Sequence, residues 1–129
     1  MIVTGQCTCG QLRVRASGDP LRVGICHCRD CQRHHGAAFY AAAVYPGDAV
    51  KIDGRANDHK GRAVCPACGA SVFAVSGAET ELHLGALDPG HGLTPSYECW
   101  TIRRLPWIAP FEGMIQYERD RRPDAPSKA

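Results

Sequence analysis

Seven of the eight cysteines fall in three close-spaced blocks. Cys7 and Cys9 stand in CTCG, Cys26, Cys28 and Cys31 in CHCRDC, and Cys65 and Cys68 in CPACG. Thiols at such spacings are suited to hold a soft metal ion. Tetrahedral zinc with Zn–S near ~2.3 Å places its sulfurs roughly 3.8 Å apart. A C-x-x-C turn brings two thiolates to that distance, and the glycine that follows, Gly69, tolerates the positive φ that aims a backbone N–H at sulfur. C-x-C uses other geometry: residues two apart on an extended segment share a face, so Cys7 and Cys9 can close on one ion.

Seven cysteines do not divide into two four-cysteine sites. The simplest partition pairs Cys7 and Cys9 with Cys65 and Cys68 in a closed structural site. Cys26, Cys28 and Cys31 then form a local triplet. Three protein ligands and one free position are what a catalytic zinc site has. The alternative for the triplet is a structural site completed by His27, His34 or His35. Thiolates select zinc over magnesium or calcium, so two zinc ions per chain are expected. Zinc would be cofactor and structural staple at once. A disulfide framework is the weaker reading in a reducing compartment.

The remaining candidates carry less. Cys99 stands alone in SYECWTI and reads as a small buried apolar residue. His27 alternates with its two cysteine neighbours and reads as packing or support behind them. Asp30, His34 and His35 are near enough in sequence to move a proton. His59, His83 and His91 receive no role.

The elements that must position these blocks are mainly short strands. Gly and Pro total 23 of 129 residues, which favours turns over long helices. Leu12, Val14 and Ala16 alternate with Gln11, Arg13 and Arg15 in a strand over 11–16. Further strands are predicted at 22–26, 38–45, 49–52, 60–64, 71–75, 80–84 and 96–102. In 80–84, Leu82 and Leu84 are placed on one face and Glu81 and His83 on the other. One short helix is predicted from Asp30 to His35, stopping at Gly36, and residues 86–95 read as a loop. One domain spans 1–118, and 119–129 read as a disordered tail. A domain of this size has a limited core, which a metal staple supplements.

The formal charge of +2 treats every cysteine as neutral. Seven thiolates subtract seven and two divalent ions add four, which takes it to −1. Nucleic-acid binding is therefore not expected, and basic residues do not interleave with aromatics. No basic-then-apolar leader opens the sequence, and no apolar run nears the ~18 residues of a membrane helix. The expectation is a cytoplasmic protein with no membrane partner.

GQCTCGQLRV at 5–14, CHCRDCQRHHGA at 26–37, CPACG at 65–69 and WTIRRLPW at 100–107 resemble the glutathione-dependent formaldehyde-activating enzyme family, which includes centromere protein V. The resemblance runs over residues 3–118. It implies a β-tent fold of small antiparallel sheets, shared with methionine sulfoxide reductase B. It also implies the same cysteine grouping: Cys7, Cys9, Cys65 and Cys68 for a structural zinc, Cys26, Cys28 and Cys31 for a catalytic one. The activity it implies is that of a carbon–sulfur lyase, joining a thiol such as glutathione to a small aldehyde or releasing it. The small-molecule partner is then a thiol or its aldehyde adduct. The centromere-protein branch suggests the alternative, a non-catalytic zinc-stabilised binding module.

Overall fold

The computed structural model describes residues 1–122 of the 129. In chain order it contains β1 (Ile2–Gln6), β2 (Arg13–Ser17), β3 (Arg22–Cys26), α1 (Arg29–His35), β4 (Tyr40–Pro46), β5 (Val50–Asp53), β6 (Asn57–His59), β7 (Arg62–Val64), β8 (Ser71–Ser76), β9 (Glu79–His83), β10 (Tyr97–Cys99) and β11 (Ile115–Gln116). The fold is mainly β, in line with the turn-rich composition. No helix among the described residues is long and apolar enough to cross a membrane.

The chain divides into two compact units, and β4 carries it from the second back to the first. The first unit holds Met1–Leu21 and Ala43–Leu93. In it, β1, β2 and β5 form an antiparallel sheet in that order. Its period-two pattern sets the core: Val3, Leu12, Val14 and Ala16 are buried. A meander in the order β9-β8-β7-β6 builds the rest, with Phe73 opposite Leu82. The 60–64 stretch is not one strand. Lys60 and Gly61, both at positive φ, make the two-residue turn between β6 and β7.

The second unit holds Arg22–Ala42 and the chain from Thr94 onward. Here β3, β10 and β11 run parallel, with β10 in the middle. The register pairs Gly24 with Tyr97 and Cys26 with Cys99. A Cβ at Gly24 would overlap the Tyr97 ring, so glycine is what lets the ring lie across β3. Helix α1 follows β3 after two residues and ends at Gly36 in the left-handed conformation, one turn past Cys31.

Several expectations shift. The last predicted strand, 96–102, stops at Cys99, because Trp100 takes positive φ and Thr101–Arg103 form a turn. Leu84 likewise leaves its strand for a turn, and His83 is buried together with Leu82 rather than facing away. β1, β6 and β11 have too few apolar residues to register in the sequence pattern. Of the expected tail, the Arg119 carbonyl and the Asp120 carboxylate accept hydrogen bonds from the Trp100 backbone and indole N–H groups. Residues 123–129 lie outside the described residues.

Candidate metal centres

Each unit contains one cysteine cluster. In the first, the sulfurs of Cys7, Cys9, Cys65 and Cys68 lie within 4.8 Å of one another. Cys7 Sγ is 3.6 Å from Cys9 Sγ, and Cys9 Sγ is 3.8 Å from Cys65 Sγ. Those spacings match a tetrahedral thiolate set. Each block is a tight turn: the Gly10 N–H bonds the Cys7 carbonyl at 3.1 Å, and the Gly69 N–H bonds the Cys65 carbonyl at 2.8 Å.

The turns aim donors at sulfur. The Leu12 N–H reaches Cys7 Sγ at 3.3 Å and the Ala67 N–H reaches Cys65 Sγ at 3.3 Å. Gln11 adds a side-chain donor, with Nε2 3.1 Å from Cys65 Sγ. Its amide is fixed by Arg55, whose carbonyl accepts from Nε2 at 2.6 Å and whose N–H donates to Oε1 at 3.0 Å. Burial opposes ionisation of Cys65, but the Gln11 amide and the N–H groups of Cys68 and Ala67 hold its thiol down at about 6. At Cys9 a backbone bond from Gln11 pulls downward, and the neighbouring Cys7, desolvation, Cys65 and Cys68 outweigh it, pushing that thiol up to about 11. Cys65 is thus poised to ionise, and Cys68 is pulled down as well, chiefly by backbone bonds from Ala70 and Cys9, whereas Cys9 holds a proton that an ion would displace.

In the second unit, the sulfurs of Cys26, Cys28 and Cys31 also lie within 4.8 Å of one another. The local structure explains the convergence. Cys26 ends β3, Cys28 caps α1 with its Sγ accepting the Cys31 N–H at 3.3 Å, and Cys31 sits in the first turn. Cys31 is buried, and Cys26 and Cys28 are half-buried. A soft three-sulfur donor set at this spacing fits a divalent ion. Both clusters can therefore bind metal ions. No histidine belongs to either group among the described residues. His34 and His35 pack edge to face with each other, and His35 stacks on Tyr40.

Two residues near the triplet escaped the sequence reading. Cys99 is not a buried apolar filler. It is half-exposed, opposite Cys26 in the β3–β10 pair, and its thiol hydrogen-bonds the Cys26 sulfur. Bonds from Cys31 first and Cys99 second pull the Cys26 thiol down, while the same contacts push Cys31 and Cys99 up.

The other is Glu98, which is fully buried. Its Oε1 accepts from His27 Nε2 at 2.7 Å, and its Oε2 from Gln116 Nε2 at 2.7 Å and the Phe111 N–H at 2.8 Å. Arg104 Nη2 is 3.4 Å from Oε1. Burial opposes the charge, but the Gln116, His27, Phe111 and Arg104 interactions keep the carboxyl below its ordinary value. His27 thus lies behind its cysteine neighbours, as the alternation predicts, with its ring 5.6 Å from Phe39. The Gln32 side chain bonds the His27 and Arg103 carbonyls at 2.7 and 3.0 Å, tying α1 to the segment after β10.

The chain is similar to known proteins at two levels, fold and family. A crystal structure of a Rhodobacter sphaeroides protein superposes with a TM-score of 0.54 and 16% identity, covering 88% of this chain and 98% of that one. That likeness concerns the fold. A search of curated proteins finds no match. The family model for the glutathione-dependent formaldehyde-activating enzyme matches residues 2–103, which include every cysteine of both clusters, Cys99 and Glu98. The match ends at Arg103, so the later part of WTIRRLPW lies beyond it. Over that span, with its two cysteine clusters, the chain belongs to the glutathione-dependent formaldehyde-activating enzyme family.

Proposed function

We propose that this protein is a zinc-dependent carbon–sulfur lyase acting on the adduct of a small aldehyde with a thiol of the glutathione type. The observation that carries the reading is the triplet. Three sulfurs converge from six consecutive residues, two of them half-exposed, and no fourth His, Cys, Asp or Glu joins their mutually close group among the described residues. Such a set holds a metal and leaves room for a substrate donor. The four-sulfur cluster is proposed as a structural zinc site.

A divalent ion in the triplet supplies positive charge that favours the thiolate form of a thiol brought to it. Cys26, Cys28 and Cys31 do the holding, fixed by the end of β3 and the first turn of α1. Their three negative charges damp the ion's pull on a carbonyl oxygen, which favours a role toward sulfur over a role toward oxygen. In the forming direction, the thiol sulfur attacks the aldehyde carbon, a C–S bond forms, and the thiol proton ends on the new hydroxyl. The reverse breaks the C–S bond and returns the proton to sulfur. The proposed setting is the cytoplasm, where reduced thiols are abundant.

Cobalt replacement tests this. Sulfur-to-cobalt charge transfer counts the thiolates around each ion. Adding glutathione should add one sulfur at the triplet, more strongly at higher pH as the thiol ionises. The four-cysteine cluster should not respond, and Cys31→Ala should remove the response. A spectrum that no thiol changes, but that a His27, His34 or His35 variant does, would replace this reading with the non-catalytic module.

A further inference from the structure

Cys99 has no part in the proposed ligand sets, yet its thiol bonds the sulfur of one proposed ligand. We infer that Cys26 and Cys99 form a peroxide-sensitive pair, in which oxidation joins them in a disulfide and releases the metal of the triplet. This rests on the reading of the triplet as a metal site.

The geometry comes from the sheet. Cys99 and Cys26 are register partners in the parallel β3–β10 pair, fastened next door by the His27 N–H to the Cys99 carbonyl at 3.0 Å. Adjacent strands lie about 4.8 Å apart. Disulfides span Cα separations of about 4.4–6.8 Å, a range that includes this strand spacing. The two thiols are within hydrogen-bonding reach of each other. Neither residue is fully buried.

The pairing is selective because of what each cysteine does otherwise. Cys28 and Cys31 share the mutually close group with Cys26, whereas Cys99 is outside it. In the loaded protein Cys99 therefore remains a thiol while its three neighbours are ligands. A low-barrier route to a disulfide needs such a resolving thiol beside the oxidised sulfur.

The chemistry balances with a hydroperoxide as oxidant. The Cys26 thiolate attacks the O–O bond of hydrogen peroxide, forming a sulfenic acid, and the departing hydroxide takes a proton from solvent and becomes water. The Cys99 sulfur then attacks the sulfenic sulfur, the S–O bond breaks, and a second water leaves. One thiolate and one thiol have lost two electrons and one proton, and the peroxide has taken up both electrons. A metal held by Cys26, Cys28 and Cys31 would keep its oxidation state and would be released once Cys26 no longer ligates it. A thiol reductant reverses the bond and allows reloading.

The test treats the metal-loaded full chain with hydrogen peroxide, blocks remaining thiols with an alkylating agent, and maps linkages by mass spectrometry after digestion with trypsin and chymotrypsin. A chromophoric chelator follows metal release in parallel. A Cys26–Cys99 linkage should appear as one metal equivalent is released, and dithiothreitol with added zinc should restore both. In Cys99→Ser the reductant-reversible fraction of release should be lost, as Cys26 goes on to higher oxides. A dominant Cys28–Cys31 or Cys26–Cys31 linkage overturns the inference. So does a Cys99→Ser protein that releases and regains metal as the parent does. The linkage map in the unsubstituted protein decides the matter even where Cys99→Ser fails to fold. A chain that never loads a second metal fails the underlying reading instead, which the initial metal count shows separately.

Discussion

His27 Nε2 donates a 2.7 Å hydrogen bond to Glu98 Oε1, and both side chains are completely buried. His27 lies between two cysteines of the triplet, and Glu98 is bonded to Phe111 and Gln116 far along the chain. The pair therefore fixes the backbone that bears Cys26 and Cys28 to the C-terminal segment of its unit.

Glu98→Gln tests this. The variant keeps the shape but removes the charge that His27 and Arg104 face, and breaking a buried charged network costs about 3–5 kcal/mol. The folded carboxyl sits below its ordinary 4.5. Its contribution is present above the unfolded value and is lost as pH falls through the lower folded value. The difference in melting temperature between parent and variant should be largest near neutrality and shrink below about pH 4.5. A pH-independent difference would mean that the charge contributes nothing.

The two cysteine clusters should differ in what they do for folding. Cys9 and Cys65 are 56 residues apart, so an ion between them closes a long loop. Structural zinc contributes on the order of 10 kcal/mol to folding. Cys68→Ala should give unfolded or aggregated protein. Cys28→Ala alters ligands confined to six consecutive residues and should leave the near-native circular dichroism spectrum and a cooperative melt. The opposite ranking would exchange the two roles.

Gln11→Ala should weaken the four-cysteine site without touching a ligand. It removes the 3.1 Å bond to Cys65 Sγ, one of the contacts holding that thiol at about 6. Residues that orient ligands are worth roughly 10–100-fold in metal affinity. Competition with a chelator should show a loss of that order at one of two sites, growing as pH falls and Cys65 takes up its proton. Equal retention at both sites would place Gln11 outside the ligand shell.

Metal content follows from the donor sets. Elemental analysis of protein purified without chelators should approach two zinc equivalents per chain, because thiolate sets of this kind favour zinc. Alkylation of all eight cysteines in the purified, unreduced protein without chelator, with no metal found, would overturn both proposed sites.

The proximity of the sulfurs was legible because it is written in short-range spacing. C-x-C, C-H-C-R-D-C and C-P-A-C-G each fold back within one turn, and the structure puts each set of sulfurs within reach of one ion. Leu12, Val14 and Ala16 were legible as a buried face for the same reason: their signal has a period of two. Cys99 and Glu98 were not. Their partners on the β3 side, Cys26 and His27, are about seventy residues away, and a parallel β3–β10 pairing leaves no trace in the local pattern of SYECWTI. A glutamate between Tyr97 and Cys99 looks like an ordinary strand residue until Gln116, Phe111 and Arg104 gather around it. Gln11 was counted on the polar face of its strand, and only its bonds to Arg55 and Cys65 give it a purpose.

The interleaving of the two units along the chain also imposes a schedule on synthesis. The triplet is complete once Cys31 has emerged, whereas the four-cysteine set waits for Cys68, 37 residues later. At roughly 5–20 residues per second that interval lasts about 2–7 s. During it the ribosome-bound chain displays Cys7 and Cys9 with no native partners beside the newly made Cys26, Cys28 and Cys31. An ion captured then by a mixed set would have to be surrendered before the first unit could close. The local turn that gathers Cys26, Cys28 and Cys31 thus acts early as well as late, by occupying those three sulfurs with one another before the wrong pair can claim them.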